Sequence, residues 1–294
     1  YQSVYDTLVT RTPAGTYAPN LATKWSFGPG SSWLQMDLRK GVKFTDGTTF
    51  DAKVAKANLD AFVAGNGPYS ATLAGVTTDV VSDYTIKIKL LKANPDILYY
   101  LATTDSYMAS PKSIGTAGLK TVPVGSGPYV YDKSSVPGSQ LVFTANAKYW
   151  DKSKVKFKKI VFKLMTDVTA RLNALLSGQI DATILDANTY ATAKGRGMTD
   201  YLNNVDWQGI MILDRDGALS KPLSDVRVRQ AIGYSLDRAA LLKAVQKGFG
   251  TVTQQPFGKA SGAQDSALEN YYSLDNAKAK SLLAAAGYPD GLTL

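Results

Sequence analysis

The chain has 294 residues, of which 45% are hydrophobic and 19% charged, a balance that excludes an intrinsically disordered protein. Lysine and arginine outnumber aspartate and glutamate by 33 to 24, a charge of +9 that permits a phosphate- or membrane-binding surface without requiring one. The sequence has no cysteine and no histidine, which excludes internal disulfides, Cys/His zinc sites and Ser-His or Cys-His nucleophile pairs.

The first half of the chain alternates strand and helix signals. Residues 33–38, WLQMDL, alternate apolar and polar side chains and predict a strand, as do residues 81–91. The Asp46-Gly47 pair predicts a hairpin turn. Asp51 predicts the start of a helix that carries Ala55, Leu59 and Phe62 on one face and ends at Gly65. The length suggests about two domains. The sequence contains no apolar run of 18 residues, so no membrane-spanning helix is predicted.

Two clusters of cations raise the question of an anion-binding site. Arg39, Lys40 and Lys43 flank a glycine in LRKGVKFTDGTTF, and the pattern favours a hairpin whose lysines face water. In KSKVKFKKIVFK, residues 152–163, lysines alternate with Val155 and Phe157. That alternation predicts a strand with one solvated face in preference to a polyanion site.

The second half predicts helices separated by short strands. The predicted helix starts are Thr166 or Asp167, then Ser224, then Asp237. A last helix is predicted to end before Gly287. Residues 180–185 and 206–213 are apolar and predict buried strands. The β-α-β-α order indicates an α/β protein.

Three motifs are candidates for chemistry. GSGPYVY, residues 125–131, lacks the spacing of a phosphate loop and predicts a tight turn where two segments cross. Asp181 and Asp186 are a weak carboxylate pair for glycosidase chemistry, because Asp181 is better explained as a backbone cap. Arg227 and Arg229 cannot share a helical face, which disfavours a nucleic-acid recognition helix and leaves one of them to pair with an acid such as Asp237.

Aromatic residues are 10% of the chain, and several lie in or beside predicted loops. They are Tyr69, Tyr99, Tyr100, Tyr107 and Trp207. Such positions suit ligand stacking, although any single one is better explained by packing at the edge of the core.

The order of these segments resembles the solute-binding proteins of peptide and nickel ABC transporters. The matching stretches are YDTLV at 5–9, PNLATKW at 19–25, LRKGVKFTDG at 38–47 and GSGPY at 125–129. They continue with NAKYWDKSKVKFKKIVFKLMTDVTARLNALLSGQIDAT, DVRVRQAIGYSLDRAAL and AAGYPDG. The resemblance covers essentially the whole chain.

The resemblance implies an α/β fold of the periplasmic-binding-protein type, type II, with two lobes and an extra subdomain on the first lobe. It assigns residues 1–19 and 122–205 to the first-lobe core, 20–121 to the inserted subdomain and 206–294 to the start of the second lobe. Relatives extend beyond both ends of these segments, so the chain is expected to be truncated at both ends with an incomplete second lobe.

The implied activity is capture rather than catalysis: the lobes close by hinge bending on a solute, and the closed form docks on an ABC permease. The expected solute is a peptide, with an oligosaccharide, a nickel chelate or an opine-like compound as alternatives. An extracytoplasmic hydrolase and a basic nucleic-acid binder are the alternatives from other classes. The expected protein is an extracytoplasmic monomer, periplasmic or a surface lipoprotein, with no cofactor, no metal, no nucleic-acid partner and no membrane contact except a lipid anchor.

The resemblance also locates the solute site. Cleft-lining stretches of relatives correspond to the region of Tyr69, the loop before Pro111 and the crossing between the lobes. The resulting candidates are Tyr69, Thr103, Thr104, Asp105, Ser106, Tyr107, Trp207 and Gln208. These stretches carry no arginine, which disfavours a nickel chelate, whose binders carry arginines there.

Overall fold

The computed structural model describes residues 1–65, 67–201, 206–259 and 261–294. They form two compact units, Tyr1–Leu164 and Met165–Leu294. The first unit contains 20 of the lysines and arginines against 11 aspartates, and the second contains 13 against 13 acidic residues, so the first unit carries the whole net charge. The assignment of segments to lobes stays a prediction, and residues 202–205 of it lie outside the described residues.

The first unit contains all the strands of the described chain and two α-helices. The strands are β1 (Val9–Arg11), β2 (Tyr17–Pro19), β3 (Ala22–Phe27), β4 (Trp33–Leu38), β5 (Thr77–Ser82), β6 (Thr85–Lys89), β7 (Tyr129–Tyr131), β8 (Gln140–Ala145) and β9 (Lys159–Lys163). The helices are α1 (Ala52–Ala64) and α2 (Ile97–Leu101), and 3-10 turns lie at Ser70–Leu73 and Thr104–Ser106.

An antiparallel sheet of four strands, in the order β3-β4-β6-β5, holds the main core. Met36 of β4 pairs with Ile86 of β6, and both side chains are fully buried under α1, which packs on β5 and β6. Burying a side chain of this size stabilises the fold by about 1.5–3 kcal/mol. As predicted, Asp51 begins α1, because its carboxylate accepts a hydrogen bond from the Val54 amide at 2.9 Å.

A second antiparallel sheet, β7-β8-β9, packs on a smaller cluster that includes Val4, Tyr5 and Phe143. Its central strand is β8, which pairs with β7 on one side and β9 on the other. The predicted alternation through Lys154, Lys156 and Lys158 is wrong, because residues 152–154 form a 3-10 turn and the strand starts only at Lys159. The backbone here is instead held by the Tyr129 hydroxyl, which accepts from the Phe157 amide at 3.1 Å.

The hairpin at 38–50 is confirmed, with a β-bridge between Lys43 and Thr49, but Arg39 does not face water. Its Nε donates to the Asn20 carbonyl at 2.9 Å, and its guanidinium lies 4.1 Å from the ring centroid of Trp150. Arginine favours such stacking because its planar cation is weakly hydrated. Sequence periodicity could not show this, since Trp150 is more than 100 residues away along the chain.

The regular elements in the described residues of the second unit are all helices, joined by irregular segments. Its helices are α3 (Val168–Leu176), α4 (Ala187–Gly195), α5 (Val226–Ser235), α6 (Arg238–Gln246) and α7 (Asn276–Ala285). Helices α5 and α7 pack around Ala231, Tyr234 and Ala279. The predicted strands at 180–185 and 206–213 are wrong. A strand needs a neighbour for its backbone hydrogen bonds, and the described residues place no strand beside either segment.

An aspartate and an arginine four residues apart close the loops before α3 and α5. Asp167 caps α3 while Arg171 Nη1 reaches back to the carbonyls of residues 165 and 166, at 2.9 and 3.4 Å. Asp225 caps α5 while Arg229 Nη1 reaches the carbonyls of residues 223 and 224, at 2.7 and 3.0 Å. The predicted cap at Ser224 is therefore wrong by one residue, and the proposed partner of the arginines, Asp237, instead caps α6.

Replacing Arg229 with methionine is expected to lower the free energy of unfolding by about 1–2 kcal/mol, because two loop carbonyls lose a charged donor. Urea unfolding followed by circular dichroism measures the change. Arg215→Met is the matched control: the exposed Arg215 side chain makes no hydrogen bond among the described residues, so its replacement should change stability by less than about 0.5 kcal/mol. Equal effects of the two changes would contradict the role given to Arg229.

Candidate functional site

The segment 103–107 is held in place by its own hydroxyl groups. The Ser106 hydroxyl is buried, accepts a hydrogen bond from the Leu8 amide at 3.0 Å and donates one to the Leu101 carbonyl at 2.5 Å. The Thr103 hydroxyl donates to the Tyr100 carbonyl at 2.9 Å. These bonds fix the turn between the end of α2 and the approach to β1.

Asp105 points into the protein, with 3% of its surface exposed. One carboxylate oxygen accepts from the Thr104 hydroxyl at 3.2 Å, and the other accepts from the Thr72 hydroxyl. Burial raises the pKa of Asp105, and these two hydrogen bonds oppose that rise. Both carboxylate oxygens are thus occupied by protein hydroxyls.

Tyr107 is half-buried in a stack of three tyrosines. Its ring centroid lies 5.9 Å from that of Tyr5, at an interplanar angle of 25°, and 6.4 Å from that of Tyr1. Burial raises the pKa of the Tyr107 phenol, and burial together with the nearby Tyr1 raises the pKa of Tyr5 to about 12. Both phenols are therefore neutral at physiological pH. Tyr5 is buried, whereas the half-buried Tyr107 presents part of its ring and its hydroxyl group to solvent.

Tyr69 lies at the start of the 3-10 turn Ser70–Leu73, with 60% of its side chain surface exposed. The hydrogen bond from Thr72 to Asp105 joins this turn to the segment 103–107. The structure therefore brings together the six candidates of the first unit. The groups that reach solvent are Tyr69, Thr104 and parts of Thr103 and Tyr107, none of which carries a charge.

Trp207 and Gln208 belong to the second unit, where they lie in an irregular segment. Trp207 is 38% exposed, and its indole covers Gly209 so closely that a β-carbon there would overlap the ring. The Gln208 side chain accepts a hydrogen bond from Gln246 of α6 at 2.6 Å. An aromatic face and an amide are thus presented beside α6.

Sequence reasoning missed Thr72, Tyr1 and Tyr5 as parts of this site. Tyr5 is patterned like a core residue, and its stacking partner lies about a hundred residues further along the chain. Thr72 carries no local signal, because a threonine in a turn is common and its partner Asp105 is distant in sequence.

An open groove of about 800 Å³ lies elsewhere on the first unit, against the four-stranded sheet, and no predicted site residue lines it. Its charged residues are Lys24, Asp37, Arg39, Lys40 and Asp83. The Arg39 guanidinium stacks on the ring of Trp150. Lysines and aspartates both line the groove, so it does not present charge of a single sign. We therefore do not assign the solute site to it.

Within the described residues, no three acidic side chains converge as a metal site would require. No helix in that part of the chain combines the length and the apolar character needed to cross a bilayer.

Comparison with known families identifies the chain. Residues 16–294 match the family described as bacterial extracellular solute-binding proteins, family 5 middle. The chain belongs to this family. The predicted membership of the family of solute-binding proteins is confirmed. The predicted α/β fold of the periplasmic-binding-protein type is confirmed as well, because the family's solved structures are periplasmic binding proteins and this chain combines strands and helices as that fold requires.

Individual relatives of this family-5 protein bind different solutes, according to their names. Heme-binding protein A of Haemophilus influenzae is 28% identical and aligns with 99% of this chain and 57% of its own length. Glutathione-binding protein GsiB of Salmonella paratyphi A is 30% identical over 87% of this chain and 50% of its own length. The crystal structure of NikA from Brucella suis with Fe(III)-EDTA superposes with a TM-score of 0.81 at 25% identity, covering 97% of this chain and 59% of that one.

This chain spans between half and three fifths of the length of those relatives. Each of them is named for, or solved with, a bound solute.

Proposed function

We propose that this protein is the solute-binding component of an ABC importer, works outside the cytoplasm and delivers a peptide-like solute to a permease. The family match over residues 16–294 carries this proposal. The eight predicted residues, Tyr69, Thr103, Thr104, Asp105, Ser106, Tyr107, Trp207 and Gln208, form or support its solute-binding surfaces.

The chemistry of the first-unit site supports a peptide-like solute. Its solvent-facing groups are hydroxyls and aromatic faces, which suit the amide groups and apolar side chains of a peptide. Asp105 is buried, so an amine of the solute would have to be recognised elsewhere. The glutathione-binding relative, a protein named for a peptide-like solute, points to the same class.

A planar aromatic solute such as heme is the second candidate. The stack of Tyr1, Tyr5 and Tyr107 supports it, because it offers flat faces at the predicted site, and tyrosine is also a known axial ligand of heme iron. The heme-binding relative aligns with nearly the whole chain.

Thermal unfolding with a panel of solutes tests the two candidates. A peptide-like solute at one hundred times its Kd stabilises the folded state by about 2.7 kcal/mol, which raises Tm by about 5 °C in a protein of this size. The panel contains glutathione, di- and tripeptides, maltotriose, heme and a nickel-histidine chelate. A shift with peptides alone supports the proposal, a shift with heme and a perturbed Soret band support the second candidate, and no shift with any solute contradicts both.

Replacing Tyr69 with alanine is expected to weaken binding of the best peptide about tenfold, a loss of about 1.4 kcal/mol, because an exposed aromatic contact disappears. Isothermal titration measures the affinity. The Tm of the free protein should stay within about 1 °C, because the Tyr69 side chain makes no hydrogen bond in the described structure. Tyr201→Ala, at another highly exposed tyrosine, is the control and should leave affinity unchanged. Unaltered affinity in the Tyr69 variant would remove Tyr69 from the site.

A further inference from the structure

The Thr72 side chain attaches the turn that carries Tyr69 to the segment 103–107. The Thr72 hydroxyl donates to Asp105, and it also lies 2.5 Å from the Tyr69 carbonyl oxygen. On the other side of the turn, Leu73 is fully buried in the core. Leu73 therefore anchors the turn to the fold, while Thr72 sets its position relative to Tyr107.

The single proton of the Thr72 hydroxyl limits the hydrogen bonds that this side chain can donate. A threonine hydroxyl has one proton, yet two acceptors, the Tyr69 carbonyl and the Asp105 carboxyl, lie within hydrogen-bond distance of it. The Tyr69 carbonyl and the Asp105 carboxylate therefore share one donor, which holds both acceptors against the same hydroxyl group.

We propose that Thr72 and Asp105 are a pair of positioning residues that set the spacing between Tyr69 and Tyr107 and thereby the width of the site. Neither side chain needs to touch the solute. Asp105 serves as the fixed point, and Thr72 transmits its position to the backbone of Tyr69. The consequence for solute binding rests on the function proposed above, whereas the consequence for the turn does not.

Amide hydrogen exchange of the free protein tests the positioning. The amides of Thr72, Ala74 and Val76 are bonded within the turn, to the carbonyls of Tyr69, Ala71 and Leu73. In Thr72→Val, which keeps the shape and removes the hydroxyl, we expect these amides to exchange at least about fivefold faster, with no change in α1. Thr72→Ser restores the hydroxyl and should restore protection.

Two variants of Asp105 test its part in the pair. Asp105→Asn keeps an amide oxygen that can accept from the Thr72 hydroxyl, so the turn should stay protected. Asp105→Leu fills the same space without hydrogen bonds and should match Thr72→Val. Unchanged exchange in Thr72→Val, or equal loss in the asparagine and leucine variants, would overturn the proposal.

Binding of glutathione, measured by titration calorimetry, distinguishes the positioning of the turn from its effect on solute binding. If glutathione binds the wild type, Thr72→Val should weaken it by about the same factor as Tyr69→Ala, and the double variant should be no weaker than either single one. Full additivity would overturn the link between turn and site. If glutathione does not bind the wild type, the peptide proposal loses support, and the exchange data decide the positioning by themselves.

Discussion

Replacing Asp6 with alanine is expected to lower the free energy of unfolding by about 3–5 kcal/mol, the largest effect of any single change considered for this protein. Asp6 is 5% exposed, and its carboxylate accepts hydrogen bonds from the Ser126 hydroxyl, the Tyr149 phenol and the Trp150 indole at 2.9–3.0 Å. Alanine would leave three donors without an acceptor, two of them buried and the Trp150 indole half-buried. The carboxylate also ties the first residues of the chain to segments more than a hundred residues away.

The pH dependence of stability distinguishes the charge of Asp6 from its hydrogen bonds. Burial raises the pKa of Asp6 above its ordinary value near 4, against the opposing effects of its three donors and of Lys154. A raised pKa in the folded state means that protonation favours folding. The stabilisation that protonation of Asp6 gives is fully present below the pKa of Asp6 in the unfolded chain. It is lost as the pH rises through the pKa of Asp6 in the folded protein. Asp6→Asn removes the titration, so wild type should lose stability relative to this variant as the pH rises above the ordinary aspartate pKa near 4.

Tryptophan fluorescence during urea unfolding measures both effects, since three of the four tryptophans lie in the first unit. Asp6→Asn is also the matched control for the alanine variant, because its amide oxygen can still accept from Ser126 and Trp150. Asp6→Asn should lower the free energy of unfolding by less than half as much as Asp6→Ala does. A loss below about 1 kcal/mol in Asp6→Ala would show that the donors find water instead and that the network contributes little.

Replacing Gly125 with alanine should destabilise the protein by about 3 kcal/mol or more, because the β-carbon would occupy space already filled by backbone. A β-carbon at Gly125 would overlap the Val4 carbonyl oxygen and lie 2.7 Å from the Tyr5 ring, and one at Gly127 would lie 2.6 Å from the Val4 carbonyl. Main-chain atoms cannot rotate away as a flexible side chain can. The Gly127 amide also donates to the Val4 carbonyl at 2.8 Å, which keeps the two segments at this spacing.

Gly118→Ala is the matched control for this prediction. The nearest atom to its β-carbon would be the Thr116 hydroxyl at 3.6 Å, an ordinary contact, and its backbone is not in the left-handed region. Its stability should stay within about 0.5 kcal/mol of wild type. Equal stability of the two alanine variants in thermal unfolding would mean that the crossing at residues 3–5 and 125–127 can open at little cost.

Local signals predicted those parts of the fold whose causes lie within a few residues of one another. The cap at Asp51, the stripe of Ala55 and Leu59, and the alternation of β4 each report burial on a face of a single element. The glycines of GSGPY were predicted to mark a crossing, and the close approach of Val4 confirms it. In the same way the motif order was sufficient to predict the family.

Sheet membership was predicted less well, because a strand requires a partner as well as a pattern. Residues 206–213 are as apolar as β4, yet Ile210 and Leu213 are exposed and no strand adjoins them in the described structure. The apolar segment 180–185 fails for the same reason, with Ile184 largely exposed. Composition records the tendency of a segment to be buried, but not which surface covers it.

The sequence by itself determined the family, the absence of cysteine and histidine chemistry, and the helix starts that depend on one aspartate. Only the tertiary structure decided that Asp105 faces inward, that Thr72 joins the Tyr69 turn to it, and that Arg39 stacks on Trp150. Each of these contacts joins residues 33 or more positions apart. Such contacts depend on how separate elements pack, and a single sequence records no trace of which distant hydroxyl or ring a charged side chain will meet.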